Sequence, residues 1–327
     1  MTFDLGEALI KSVIIIGFLL TGFAYMTLFE RRAVARLQGR LGPNRVGPAG
    51  LFQPIADGVK LVLKEQLTPR DAVLPLYWIA PAISGVVAFL SFAVIPVGPA
   101  FEVGGRTIQP WLADVSIGIL YILAITSLGI YGIVLGGWAS GNKYSLIGAI
   151  RSSAQMISYE LSLGLSVLGV VMLAGTLSLT QIVDAQKQVW FLIPQFLGAI
   201  VYFIAGVAET NRAPFDLPEA EQELVAGYHT EYSGLRFTLY FMAEYINMIT
   251  VSAIATTLFL GGWWGPFAPG PWWFLIKVAA LLFVYIWLRA TLPRLRYDQL
   301  MRFGWLVLLP LAVLNVVVTA VAVVFWG

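Results

Sequence analysis

The sequence contains no cysteine and a single histidine, His229, and only 12% of its 327 residues are charged. Without thiols the chain cannot hold an iron–sulfur cluster, a thiolate zinc site or a disulfide framework. One histidine excludes bis-histidine haem ligation. Any electron carrier is therefore expected on another chain. Soluble domains carry about a quarter charged residues. Half that proportion, with 59% apolar residues, places this chain in a membrane. The first apolar run has neither a positively charged start nor a small-residue cleavage site, so it reads as a retained span. Internal repeats, low-complexity tracts and soluble domains are also missing, and residues 1–327 read as one integral membrane domain.

What is present is a series of apolar runs of about twenty residues, the length that crosses a hydrocarbon core of about 30 Å. Eight spans are expected, near 6–29, 73–95, 112–137, 148–175, 189–209, 236–261, 272–292 and 304–326. The fold class is all-α, a polytopic helical bundle. The connectors 30–72, 138–150, 209–236 and 289–303, with Arg151 just past the second, hold sixteen lysines and arginines, and the alternate connectors hold only Arg106 and Lys187. That bias puts the basic connectors in the cytoplasm and, with eight spans, both termini outside.

Connector 30–72 has two parts. Residues 41–50 are punctuated by Gly and Pro and cannot be helical throughout. From Leu51 to Gln66, Phe52, Ile55, Val59 and Val62 recur at steps of three and four, with Gln53, Asp57, Lys60 and Lys64 on the other face. This predicts an amphipathic helix in the membrane interface.

The chain's organising stretch is 209–236. It holds Glu209, Asp216, Glu219, Glu221, Glu223, Glu231 and His229 against only Arg212 and Arg236. Like charges held together beside a membrane are costly unless used. Pro214 and Pro218 predict extended or turned backbone over 213–218. A helical turn can follow from Pro218, with Glu219 and Glu223 on one face, Glu221 elsewhere and Asp216 as its cap. A solvated acidic loop is the ordinary alternative.

Three acids, Glu209 among them, fall within or at the ends of spans. Glu160 lies about twelve residues into the fourth span, or about 18 Å along it. Glu209 closes the fifth and Glu244 lies eight residues into the sixth. Carboxyls at such depth face a bundle interior or a water-filled cavity, and a group able to change charge state suits a proton relay. Structural hydrogen bonding is the alternative for each. Tyr144, Tyr159, Tyr228, Tyr232 and Tyr245 lie near these acids. Lys277 reads as a snorkelling structural residue, Asp114 as a first-turn helix acid, and Trp263, Trp264, Trp272 and Trp273 as an aromatic belt.

Several motifs together resemble the family of quinone-site membrane subunits (the H subunits) of proton-pumping NADH:quinone oxidoreductase, respiratory complex I. They are Glu30-Arg-Arg, Gly-Arg-Leu-Gly-Pro-Asn-Arg-Val-Gly-Pro at 39–48, and Gln53-Pro-Ile-Ala-Asp-Gly-Val-Lys-Leu61. Next come Gly137-Trp with Lys143-Tyr-Ser-Leu, and Arg151-Ser-Ser-Ala-Gln-Met-Ile-Ser-Tyr-Glu160. Pro214-Phe-Asp-Leu-Pro-Glu-Ala-Glu-Gln-Glu-Leu224, Gly227-Tyr-His-Thr-Glu-Tyr-Ser-Gly-Leu-Arg-Phe237 and Arg289-Ala-Thr-Leu-Pro-Arg-Leu-Arg-Tyr-Asp298 complete the series. They cover about residues 25–305 in order.

The resemblance implies a component of the bacterial inner membrane that lines much of a ubiquinone or menaquinone chamber and binds no cofactor alone. Iron–sulfur clusters and FMN would sit on partner subunits, and small membrane and antiporter-like subunits would be neighbours. It implies chamber roles for Arg36, Arg45, Asp216, Glu219, Glu221, Glu223, His229 and Glu231. A carboxylate path would run through Glu160, Glu209 and Glu244, with Tyr159 beside it. Some members carry one more acid on the preceding span, and here none occurs between Asp114 and Glu160. Arg31, Arg32, Arg36 and Arg45 are expected to dock the peripheral arm and shape the quinone entrance. Glu30 is expected to be structural, paired with Arg31, Arg32 or a base on another chain. The rival readings are the equivalent component of a membrane-bound hydrogenase or other dehydrogenase, and a stand-alone ion-coupled transporter.

Overall fold

A computed structural model of the chain describes residues 5–103, 106–216 and 226–326. The helices are α1 (Leu5–Leu37), α2 (Gln53–Leu63), α3 (Leu74–Phe92), α4 (Gly118–Ala139), α5 (Lys143–Ala174), α6 (Leu179–Ala185), α7 (Phe196–Glu209), α8 (Gly234–Phe259) and α9 (Pro271–Thr291). The last span joins α10 (Tyr297–Phe303), a π turn at Gly304–Leu308 and α11 (Leu309–Trp326). Strands β1 (Phe101–Val103) and β2 (Arg106–Ile108) pair antiparallel, Phe101 opposite Ile108, between α3 and α4. That hairpin is the one departure from the all-α expectation among the described residues.

Among the described residues, seven helices are long and apolar enough to cross a membrane. The expected span 189–209 is shorter than read: α7 has 14 residues, or about 21 Å, too short for the hydrocarbon core. The reason lies in Gln186. Its Nε2 donates to the carbonyls of Ile182 (3.2 Å) and Thr257 (2.8 Å), and its Oε1 accepts from the N–H groups of Phe191 (3.2 Å) and Gly261 (3.0 Å). A buried side chain thus satisfies the turn backbone, which need not be helical.

Three helices extend into what read as connectors. α1 runs on to Leu37, because the helix-favouring Glu30–Leu37 stretch meets no breaker before Gly39. Gly39 takes φ 68°, and the Arg40 N–H closes on the Ala35 carbonyl at 2.8 Å, a left-handed C-terminal cap. α5 starts at Lys143 rather than 148, since the Asn142 side chain caps it by accepting from the Tyr144 N–H at 2.9 Å. The final span starts at Tyr297. Glu30, Lys143, Arg151 and Arg302 therefore sit on helices.

α8 lies at the centre, with buried side chains on every side from Tyr245 to Phe259, the pattern of a helix enclosed by others. α3, α9, α1 and α7 pack around it. The flanks of α1 (Leu9, Ile10, Val13, Ile14) and α11 (Val317, Val318, Val321) are exposed and apolar, as lipid-facing or subunit-facing surfaces must be. α2 is amphipathic as expected: Phe52, Ile55, Val59 and Val62 are all more than half exposed. An Arg31–Asp57 ion pair of 2.6 Å ties its polar face to α1.

Two smaller readings change. Asp114 precedes α4 and accepts from Ser178 Oγ (3.2 Å) and Thr180 Oγ1 (3.0 Å), so it pins the start of α6. Lys277 does not reach outward to solvent. Its Nζ donates to the carbonyls of Leu260, Gly262 and Trp264 at the end of α8, and lies 4.2 Å from the Trp190 ring centroid. The helix end presents three acceptors, and the ammonium supplies three donors. Lys277→Met should leave those carbonyls unsatisfied, at about 1–3 kcal/mol each. The expected outcome is a lower temperature of thermal inactivation for the assembled protein. An unchanged inactivation curve would show that the carbonyls find other partners.

Candidate functional site

Buried charge must be matched by opposite charge and hydrogen bonds, because a bare ion in low dielectric is strongly disfavoured. One region of this chain is built on that requirement. α1 carries Glu30, 5% exposed. The segment after α7 brings Arg212 to within 3.5 Å of Glu30 Oε1, and α9 brings Arg289 Nη1 onto the same oxygen. Tyr245 of α8 donates its hydroxyl to Glu30 Oε2 at 2.6 Å. On its other side Arg212 Nε meets Glu244 Oε1 at 2.6 Å, and its guanidinium lies 4.3 Å from the Tyr245 ring centroid. Two acids and two bases from four parts of the sequence thus form one cluster with formal charges that cancel. Burial opposes the charge on Arg212, but Glu244, Tyr245 and Glu30 outweigh it and hold the guanidinium above its ordinary pKa.

The expected partners of Glu30 were Arg31, Arg32 or another chain's base. Its partners are Arg212 and Arg289 instead. α1 directs Glu30 inward, while Arg31 bonds Asp57 and Arg32 Nε bonds the Pro43 carbonyl at 3.4 Å. Adjacent residues on a helix point about 100° apart, so an acid and the base beside it do not face each other.

Arg212 is positioned by Gln155. Its Nε2 donates to the carbonyls of Ala208 and Phe215, both at 2.7 Å. Gln155 therefore spans the two ends of the turn that holds Arg212. Within that turn Asn211 takes φ 52° and Ala213–Pro214 is cis. Asn211 tolerates this left-handed conformation better than most residues, and Ser152 Oγ bonds its Oδ1 at 3.3 Å.

Beside the cluster, α3, α4, α5, α7 and α8 enclose a cavity with about 80 Å³ open to the centres of water molecules, room for several waters. Glu209, Asn211, Tyr228, Tyr240, Glu244 and Asn247 line the part near the basic connectors. The buried hydroxyls of Ser84 and Thr250 line it too, without a protein partner among the described residues. Glu160 accepts from Ser127 Oγ, and its charge and that of Glu209 repel each other. The three expected acids therefore gather around one interior, Glu209 and Glu244 on the cavity wall and Glu160 within electrostatic range of Glu209.

The remaining expected residues are spread along the basic face. Arg36 and Arg45 are exposed, and Asp216, His229 and Glu231 are half-buried. Glu231 Oε1 accepts from Asn142 Nδ2 at 2.6 Å, and its backbone carbonyl accepts from Tyr77 OH at 2.6 Å. The 227–233 loop is held close to α5, since a Cβ on Gly148 would lie 2.8 Å from Gly227 Cα. Tyr159 donates its hydroxyl to the Leu300 carbonyl at 2.8 Å, and its ring lies 5.7 Å from that of Phe215. Glu219, Glu221 and Glu223, with the turn expected after Pro218, lie outside the described residues. Sequence reasoning missed Arg212, Arg289, Asn247 and Ser127 as site residues. Arg212 did carry a signal, as an arginine set among acids at a span's end.

Arg212→Met leaves Glu30 and Glu244 without their shared partner, a change that costs about 3–5 kcal/mol in buried pairs. Its level in the assembled membrane complex should drop sharply. Arg212→Lys should rescue little, because an ammonium cannot bridge both acids while stacking on Tyr245. Combining Arg212→Gln with Glu244→Gln should recover part of the loss, as contacting residues couple. Additive losses in that double variant, read on native gels, would disprove the pairing.

Known proteins carry closely similar sequences. The NADH dehydrogenase family matches residues 10–320. The NADH-quinone oxidoreductase H subunit of Protochlamydia amoebophila is 56% identical over 300 residues, covering 92% of both chains. That of Thermomicrobium roseum is 56% identical over 324 residues, 96% of this chain and 95% of its own. That of Syntrophotalea carbinolica is 51% identical over 318 residues, 97% and 96% of the two chains. Matches of this length and identity leave no place for the transporter reading. The chain is a multi-pass membrane protein that belongs to the family of NADH-quinone oxidoreductase H subunits, one component of a respiratory enzyme complex.

Proposed function

We propose that this chain walls the quinone chamber of its complex and passes the charge of quinone reduction to a carboxylate path. The observation that carries this reading is the Glu30–Arg212–Arg289–Glu244 cluster, which joins the segment after α7 to the cavity of Glu209 and Glu244. Arg212 belongs to the connector through its backbone and to the cavity through Glu244. A change of charge on the chamber side therefore acts on it first.

Electrons reaching a quinone place negative charge in a poorly solvated space. At an effective dielectric constant of about 20 and a separation of about 8 Å, one unit charge is worth about 2 kcal/mol. Drawn toward that charge, Arg212 loosens its hold on Glu244. Glu244, facing the cavity, then takes up a proton from water there. Glu160 and Glu209 share a repulsion that one proton relieves, so protonation of Glu244 redistributes charge along the three acids. Tyr159 fixes α5 against α10 beside them.

The acids of the connector, Asp216, Glu219, Glu221, Glu223 and Glu231, with His229, form the chamber wall. Arg36 and Arg45 shape its mouth, and α2 lies at the membrane interface beside the quinone's way in. Peripheral iron–sulfur subunits dock on the basic cytoplasmic face, and small and antiporter-like membrane subunits receive the effect. The irregular apolar segment 189–195 and the short α7 together carry the chain from one side to the other in this reading, so both termini lie outside the cytoplasm.

Two measurements test this. Glu160→Gln with Glu244→Gln keeps side-chain volume and removes the exchangeable charge. Proton pumping and quinone reduction should fall severalfold while the complex assembles; full pumping would leave the acids a structural role only. Asp216→Asn, Glu219→Gln, Glu221→Gln and Glu223→Gln are assayed separately for quinone reduction across pH, with assembly checked. At least two should lose most quinone-dependent activity yet keep NADH oxidation by an artificial acceptor. Four ordinary profiles would reduce the stretch to an exposed acidic loop.

A further inference from the structure

The α8 wall of the cavity changes character along its length. Tyr240, Glu244, Asn247 and Thr250 follow one another at steps of four, three and three residues along one face of α8, and all line it. The next residues on that face are Ile254 and Leu258, which line it too. On the antiparallel α4, Thr126 is followed outward by Leu123, Ile122 and Ile119, all apolar. Leu179 of α6 closes the far end. Its side chain packs on the start of α4, with Cγ at ordinary contact distance, 3.5 Å, from where a Cβ on Gly118 would stand. Leu258 is 0% exposed, Leu179 2%, Ile119 5% and Ile254 7%.

We infer that Ile119, Leu179, Ile254 and Leu258 form an apolar seal closing this cavity on the side away from the basic connectors. The inference rests on the proposed reading of the cavity as a water-bearing carboxylate path. From Thr250 to Leu258 the dry layer is eight residues deep, about 12 Å of helix. A proton crosses such a layer only on a chain of waters, and each water there would forgo hydrogen bonds that the apolar walls cannot replace. Thr250, whose hydroxyl has no protein partner among the described residues, is the last polar side chain on this face of α8. A proton taken up by Glu244 or Glu209 therefore returns to the basic face or moves sideways between helices. It does not pass straight through this chain.

The test is passive proton flux. The assembled complex is reconstituted in phospholipid vesicles holding a pH-sensitive dye, and a pH step is imposed without NADH. Leu258→Asn and Ile254→Asn should each raise the leak about tenfold or more, the effect of lowering a barrier by about 1.4 kcal/mol. Ile254→Val, which stays apolar, should leak as the parent does. If an Asn variant does not assemble, Ile254→Thr makes the smaller polar change at the same layer. Parent-level leak in every assembled polar variant overturns the seal. An equal rise in Ile254→Val overturns it as well, since loosened packing would then be the cause. Pumping by the Glu160→Gln, Glu244→Gln protein is read separately, so failure of the carboxylate path and failure of the seal give different results.

Discussion

The constraint behind this structure is that a charge inside a membrane protein must be answered by another charge. Glu30 cannot stand alone at 5% exposure, and its answer comes from Arg212, Arg289 and Tyr245. Those residues belong to the segment after α7, to α9 and to α8. Once they meet, α1, α8 and α9 are held at one level, and the start of the acidic connector is fixed beside them. Arg212 then has a second face to satisfy, and Glu244 satisfies it. Replacing such a cluster by apolar residues can serve stability as well. Its retention suits a role in which charge has to be sensed.

A related constraint governs the irregular backbone. Membrane-depth turns are tolerated only where their polar groups find partners within the protein. Here glutamines meet much of that need. Gln155 spans the turn around Arg212, and Gln186 satisfies the break before α7. Gln195 donates to Thr319 at 2.7 Å and accepts from Asn315 at 2.8 Å, joining the start of α7 to α11. Gly169 and Gly198 leave room for that pair, for a Cβ at either would crowd both side chains. A neutral amide donates and accepts at once, so it can serve both kinds of backbone group without bringing charge into the interior.

These two solutions meet at the cavity. Its polar part begins where Glu244 leaves the ion cluster, and its apolar part begins within two turns of α8. On the proposed reading, the polar part answers to the quinone and the apolar part keeps that response from becoming a leak. Both follow from one helix face that changes character between Thr250 and Ile254.

By itself the sequence determined that this is a membrane helical bundle, because twenty-residue apolar runs and scarce charge have few other solutions. It also determined the amphipathic α2, the family, and the three acids gathered near one interior, since periodicity, motifs and buried carboxyls are local signals. Tertiary structure alone decided what those acids face. Glu30 and Arg289 lie 259 positions apart, and nothing local to Glu30-Arg-Arg shows that the acid turns inward while both neighbouring arginines turn away. The shortening of α7 was equally hidden, because its run stays apolar through Trp190–Pro194. What ends the helix there is a glutamine from the preceding turn, supplying hydrogen bonds that the backbone would otherwise have to make for itself.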